Sequence, residues 1–227
     1  MLHLDETIGR RTFLGSMAAS AVGLAAMGLP NKLLADEKMP APAANKTEFE
    51  GWLKRIKGKH KQVFDAPSTN GGLPLAWARV FVMSNTELGV PAKDITSVLV
   101  LRHDAIPFAM NDDVWAKYDF GETFNVKSFL TGQREKTNFL WKPKQEPPLP
   151  RMSLDKLLED GVLVGVCDLA LTFNSMHIAE KMKMEPADVK KDWVAGIFPG
   201  VQIVPSGVIA INRAQERGCT YCYAGEG

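Results

Sequence analysis

The stretch that most constrains this chain is Gly161-Val162-Leu163-Val164-Gly165-Val166-Cys167-Asp168. Six residues pass without a polar side chain before the run ends on a thiol and a carboxylate. A strand with no polar alternation must be covered on both faces, which is the situation of a parallel sheet. A helical pattern starts directly after it. In open α/β sheets, ligands and chemistry collect beyond the carboxyl ends of the strands. Cys167 sits at such an end and is the first candidate for a working residue.

The remaining strands are shorter or less uniform. Lys61 to Asp65 reads as a first strand, and Ile95 to Leu101, β-branched and apolar, as a second. Gly200 to Val204 and Cys219 to Tyr223 come after Cys167. Helical patterns lie between them. Glu48 to Lys61 carries Phe49, Trp52, Leu53 and Ile56 at helical spacing. Pro74 opens a helix that Gly89 stops. Ala105 to Lys117 is helical but broken by Pro107, with a cap within Asn111-Asp112-Asp113. A short helix starts at Ser153. Others cover Leu169 to Lys183, Glu185 to about Trp193, and Val208 to Arg217. Alternation of strands and helices predicts a single α/β domain: three layers around a mostly parallel sheet of about five strands. Residues 132–151, rich in Lys, Gln, Glu and Pro, read as a long loop. Loops of that length act as lids, binding loops or oligomer contacts. Its Phe139-Leu140-Trp141 is expected to pack back onto the domain or onto a neighbouring subunit.

The first 35 residues read as an address. Arg10-Arg11 precede Thr12-Phe13-Leu14 and a small-residue apolar run from Ser16 to Leu29. That layout is a twin-arginine export signal. The run is shorter than the roughly 20 residues a spanning helix needs. Cleavage is expected after Ala35, with Ala43 or Ala44 as later alternatives. Residues 36–60 are then a tether and N-terminal helix, and residues 61–227 the α/β domain, working in the periplasm.

Removing residues 1–35 takes away Arg10, Arg11 and Lys32, and Asp5 and Glu6. Of 27 basic and 26 acidic residues, 24 of each remain. A neutral chain has no electrostatic case for nucleic acid or an anionic membrane. Ala66 to Gly72 holds adjacent glycines but no complete phosphate-binding spacing. Three cysteines, Cys167, Cys219 and Cys222, are too few for a disulfide scaffold, and an odd number leaves at least one thiol unpaired within the chain. Cys219-Thr220-Tyr221-Cys222 lies in a β-like stretch, where residues three apart point to opposite faces; the pair bridges only if a turn forms. Tyr223 follows where a c-type haem site needs histidine. Two cysteines alone do not make a zinc site. The residues imply no cofactor and no metal.

A thiolate is the sulfur nucleophile, and a helix N-terminus favours negative charge. Cys167, between strand and helix, meets that requirement. Asp168 is expected to cap the helix, although its charge opposes a thiolate next door. A basic neighbour would come from Arg102 or His103, which end the second strand. The competing reading is a buried core cysteine, since free cysteine is among the most buried residue types.

Three segments taken together resemble a known family. They are Gly161 to Cys167, then Pro199-Gly200-Val201-Gln202-Ile203-Val204-Pro205-Ser206-Gly207-Val208, then Ala214-Gln215-Glu216-Arg217-Gly218-Cys219-Thr220-Tyr221. In this order they resemble the DsrE/DsrF-like sulfur-relay family, and Val98 to Ile106 with His103 looks like that family's second strand and loop. The resemblance spans roughly Lys61 to Tyr223. It implies a flavodoxin-like fold, homo- or hetero-oligomers, and sulfur carried as a persulfide on Cys167. On that reading His103 assists, Cys219 or Cys222 resolves the persulfide, and the partners are a sulfur donor or acceptor protein or a small sulfane-sulfur species. This chain differs from the family pattern in its export signal, its loop over 132–151 and its terminal cysteines. Two alternatives stand beside it: a non-catalytic oligomeric binding module of the same fold, and a thiol–disulfide protein using Cys219 and Cys222.

Overall fold

The five expected strands form: β1 (His60–Ala66), β2 (Ile95–Leu101), β3 (Leu163–Cys167), β4 (Gln202–Val204) and β5 (Thr220–Tyr223). They were located in a computed structural model that describes residues 39–128, 131–143 and 147–226. The export signal expected over 1–35 lies outside the described residues. The strands make one sheet in the order β4-β3-β2-β1-β5, with every neighbouring pair parallel. The domain is therefore α/β with a fully parallel five-stranded sheet.

Alternation along each strand sorts its side chains between two apolar layers. Phe64, Ala66, Leu99, Leu101, Val164 and Val166 face one layer. Val63, Val98, Val100, Leu163 and Val204 face the other. The first layer is closed by α2 (Leu73–Glu87), α5 (Leu154–Glu159), α6 (Asp168–Met182) and α7 (Pro186–Ala195). Between β2 and α5 the chain also forms the short helices α3 (Asp112–Lys117) and α4 (Phe120–Thr123). The second layer is closed by α1 (Lys46–Leu53) and α8 (Gly207–Glu216).

This division follows from the strand order. The chain steps from β1 through β2 and β3 to β4 in one direction, then returns to the far side of β1 for β5. Right-handed crossovers put the helices of the outward steps on one face and the helix of the return step on the other. Adjacent strands β3 and β4 thus send their following helices to opposite faces. Such a divergence at the carboxyl ends is the topological switch point, where sheets of this kind form their ligand crevice. Cys167 is paired with Val204 at that edge.

Several local features match their residue chemistry. Asn111 caps α3 through its side chain, which accepts from Val114 N–H at 3.0 Å. Ser206 caps α8, accepting from Ile209 N–H at 3.2 Å. The described parts of the 132–151 loop pack back onto the domain. Leu140 is buried, the Trp141 ring stacks on Phe198 at 3.7 Å, and the buried Asn138 amide donates to the carbonyls of Phe108 and Met110.

Two expectations change. The helix expected over 48–61 is the shorter α1, because Gly58 turns the chain at φ 85° against the backbone of Asp94. The tether expected before it is docked rather than free. Pro40 is buried, and Ala41, Ala43 and Ala44 bond to groups of α6 and α7. The docked segment leads directly into α1. Its Trp52 packs against Gly165, where a Cβ would come within 3.3 Å of the indole and 3.0 Å of Val204.

Gly165 is therefore required by close approach in the middle of β3. Gly165→Val overpacks both Trp52 and Val204 and should cost about 1–3 kcal/mol, read as a lower urea midpoint with an unchanged slope. Parent-like stability would mean that α1 does not seat on β3.

Candidate active site

Cys167 ends β3 and is itself the cap of the 15-residue helix α6. Its Sγ accepts from Ala170 N–H at 3.3 Å. The thiol is thus held against the positive end of a helix dipole, with a backbone donor already directed at it. It is 6% exposed.

Asp168, expected as the cap, is instead the first helical residue and is buried. Its two oxygens have separate partners. Oδ1 lies 2.7 Å from Lys190 Nζ of α7. Oδ2 accepts from the amides of Ala43 and Ala44 at 2.9 and 3.3 Å. Lys190 Nζ also donates to Thr172 Oγ1 and to the Ala41 carbonyl, both at 2.8 Å. The carboxylate beside Cys167 is therefore charge-paired with Lys190 through Oδ1, which makes no hydrogen bond, while Oδ2 is hydrogen-bonded to the N-terminal segment. Sequence reasoning missed Lys190. It stands next to Lys191 in the helix expected from Glu185 to about Trp193, yet Lys190 is buried and Lys191 exposed. Its neighbours Val189 and Trp193, both core residues, are the only local hint.

The basic group beside Cys167 is Arg102. Leu101 pairs with Val166, so Arg102 follows β2 level with Cys167 at the end of β3. The Arg102 guanidinium binds Asp65 in two places, Nε to Oδ1 at 2.6 Å and Nη2 to Oδ2 at 2.9 Å. The Tyr221 hydroxyl donates to the same Asp65 Oδ2 at 2.9 Å. This clasp ties the ends of β2, β1 and β5 together. The hydrogen bond to Asp65 is the main cause that raises Arg102 above its ordinary value, and Cys167 adds a smaller electrostatic contribution. The stem of Arg102 crosses Gly207, where a Cβ would lie 2.6 Å from its Cβ, so α8 can begin there only on glycine.

His103 does not share this position. The backbone turns at it with φ 50°, and its Nδ1 lies 3.0 Å from Asp104 Oδ1 with the side chain 57% exposed. The assisting role expected of His103 has no contact behind it here; Arg102 has the place next to Cys167.

Cys219 and Cys222 are likewise away from Cys167, and all three thiols are free. β5 is three strands from β3, a lateral separation of about 14 Å. Cys222 is level with Phe64, Leu99 and Val164 in register, a further ~10 Å short of Cys167 along the strands. Cys219 precedes β5 and is further back still. The grouping of either cysteine with Cys167 as a resolving thiol is therefore corrected by the sheet order. Nor do the two pair with each other: Cys219 packs into the α1–α8 layer and Cys222 against the opposite one. The stretch stays extended, so no turn brings the sulfurs together. Burial pushes the Cys219 thiol up to about 11 and raises that of Cys222 as well.

Among the described residues, no three His, Cys, Asp or Glu side chains are grouped to hold a metal ion. None of the described helices is long and apolar enough to cross a membrane. An open concavity between α3 and α7, lined by Asn111, Lys117, Asp192 and Gly196, holds none of the three cysteines. The chain matches no protein-family model and no curated protein sequence.

Burial favours the neutral form of Cys219, so its thiolate is populated only as the pH approaches about 11. In the folded protein at pH 8, iodoacetamide should leave Cys219 unmodified, with labelling rising above pH 10 as peptide mass mapping would record. Half-maximal labelling below pH 9 would contradict the buried placement.

Proposed function

We propose that this protein is an exported DsrE/DsrF-like sulfur carrier that holds sulfane sulfur as a persulfide on Cys167. The observation that carries the reading is the placement of Sγ: at the switch point of a parallel sheet, on a helix N-terminus, with Ala170 N–H already donating to it. The sulfurtransferase-like step is simple. The Cys167 thiolate attacks the outer sulfur of a persulfide donor, a new S–S bond forms at Cys167, and the donor's own S–S bond breaks as its thiolate leaves. No external oxidant is needed. The charge on the departing and arriving sulfurs is met by the helix terminus and by Arg102, while Lys190 removes the opposing charge of Asp168. The donor and acceptor are a protein or a small sulfane-sulfur species, and the assembled state is an oligomer of this chain.

The low exposure of Cys167 favours a second reading, a binding module that keeps the fold without the chemistry. Incubation of the full chain with a persulfide donor separates the two. The expected result is a gain of one sulfur atom, removed by reductant, lost in Cys167→Ser and retained in the Cys219→Ser/Cys222→Ser variant. Sulfur that persists in Cys167→Ser would sink the carrier reading. No gain in any of these proteins would leave the binding module.

Export by the twin-arginine route places the protein in the periplasm with its leader removed. The docked residues 40–45 belong to the folded domain, which favours cleavage after Ala35 over the alternatives at Ala43 and Ala44. N-terminal sequencing of periplasmic protein should begin at Asp36. A start at Ala44 or Asn45 would show that the docked segment is discarded.

A further inference from the structure

Asp168 and Lys190 are both nearly inaccessible, and an ion pair so placed needs its remaining bonds met to offset desolvation. The partners that meet them come largely from outside α6 and α7. The amides of Ala43 and Ala44 close Asp168, and the carbonyl of Ala41 closes Lys190. A buried charge pair thus reads the backbone of an extended segment, giving one acceptor to two amides and one donor to a carbonyl. The segment continues into α1 through the Asn45 cap, whose side chain accepts from Thr47 and Glu48 N–H. Farther along, Trp52 lies on Gly165. The chain from Ala43 to Trp52 therefore touches β3–α6 at Asp168 and again at Gly165, on either side of Cys167.

We propose that residues 40–45 form a strap that closes the crevice over Cys167, and that the thiol becomes reactive when the strap leaves the Asp168–Lys190 pair. This rests on Cys167 being the sulfur-carrying group. It accounts for a residue held on a helix terminus, as a working thiol would be, yet 6% exposed. The occupant of the crevice in the closed state is the protein's own backbone, bound without side-chain recognition by Ala41, Ala43 and Ala44. Its attachment is a handful of hydrogen bonds, which a donor or partner with better contacts at the crevice can displace.

The test uses the full chain with Cys219→Ser and Cys222→Ser, so that Cys167 is the one thiol present. Ala43→Pro deletes an amide that Asp168 accepts while leaving the core sequence intact. Asp168→Asn removes the charge. Three quantities are measured in each: hydrogen exchange at the Ala44 amide, the rate of Cys167 alkylation by iodoacetamide, and the rate of sulfur loading from a persulfide donor. Loss of one hydrogen bond to a charged acceptor should speed exchange and alkylation by about tenfold or more. Sulfur loading should accelerate in parallel. Faster exchange with unchanged alkylation would overturn the strap's role, because the segment would then be loose without exposing the thiol. Unchanged exchange in the folded Ala43→Pro protein would overturn it too, because Asp168 would not be what holds the segment. Faster alkylation with no sulfur gained would keep the strap and end the sulfur-carrier reading. Sulfur loading at the parent rate in every variant would do the reverse.

Discussion

Parallel pairing of β2 with β1 on one side and β3 on the other is the constraint on which the rest of the structure depends. Strands so placed leave no face for water, so both layers of helices are obligatory. Because consecutive parallel strands need crossovers of fixed hand, the path β1 to β4 fills one layer and the single return to β5 must use the other. The crevice between β3 and β4 is a by-product of that reversal. Cys167 acquires a special position because the reversal happens one strand beyond it.

Around that crevice, charge is handled by two clasps of different character. Asp65, Arg102 and Tyr221 bind the ends of three strands together, with a bidentate guanidinium–carboxylate pair as the strong element. Asp168 and Lys190 join α6 to α7 and reach out to the N-terminal segment. The second clasp is the more demanding. Both charges are withdrawn from water, and loss of either partner would leave the other uncompensated at a cost of about 3–5 kcal/mol. The same clasp sets a lysine charge against the carboxylate next to the thiol.

The fold was legible because its signals are local and redundant. Apolar runs marked β2 and β3, short stretches bounded by Gly or Pro marked β1, β4 and β5, and caps such as Asn111 and Ser206 are short-range chemistry between a side chain and an amide three residues on. The strand-to-helix position of Cys167 was legible for the same reason. The partners of Cys167 were not. His103 and Arg102 are adjacent in sequence, and nothing local says which one the backbone turns into solvent; the positive φ at His103 decides it. Cys219 and Cys222 looked available to Cys167 because chain order does not reveal that β5 lies three strands away.

The sequence by itself determined the element types, the parallel sheet and the end of β3 on a thiol, since each of these follows from periodicity and from the residues immediately around it. Only the tertiary structure decided what surrounds that thiol. Strand order separated Cys219 and Cys222 from it, and burial selected Lys190 over Lys191. The docking of Trp52 on Gly165, together with the bonds to Asp168 and Lys190, turned an apparent tether into a docked segment. Those outcomes depend on residues 18 to 149 positions apart meeting in space, such as Thr172 with Lys190 and Ala41 with Lys190, and no local pattern in the chain encodes such meetings.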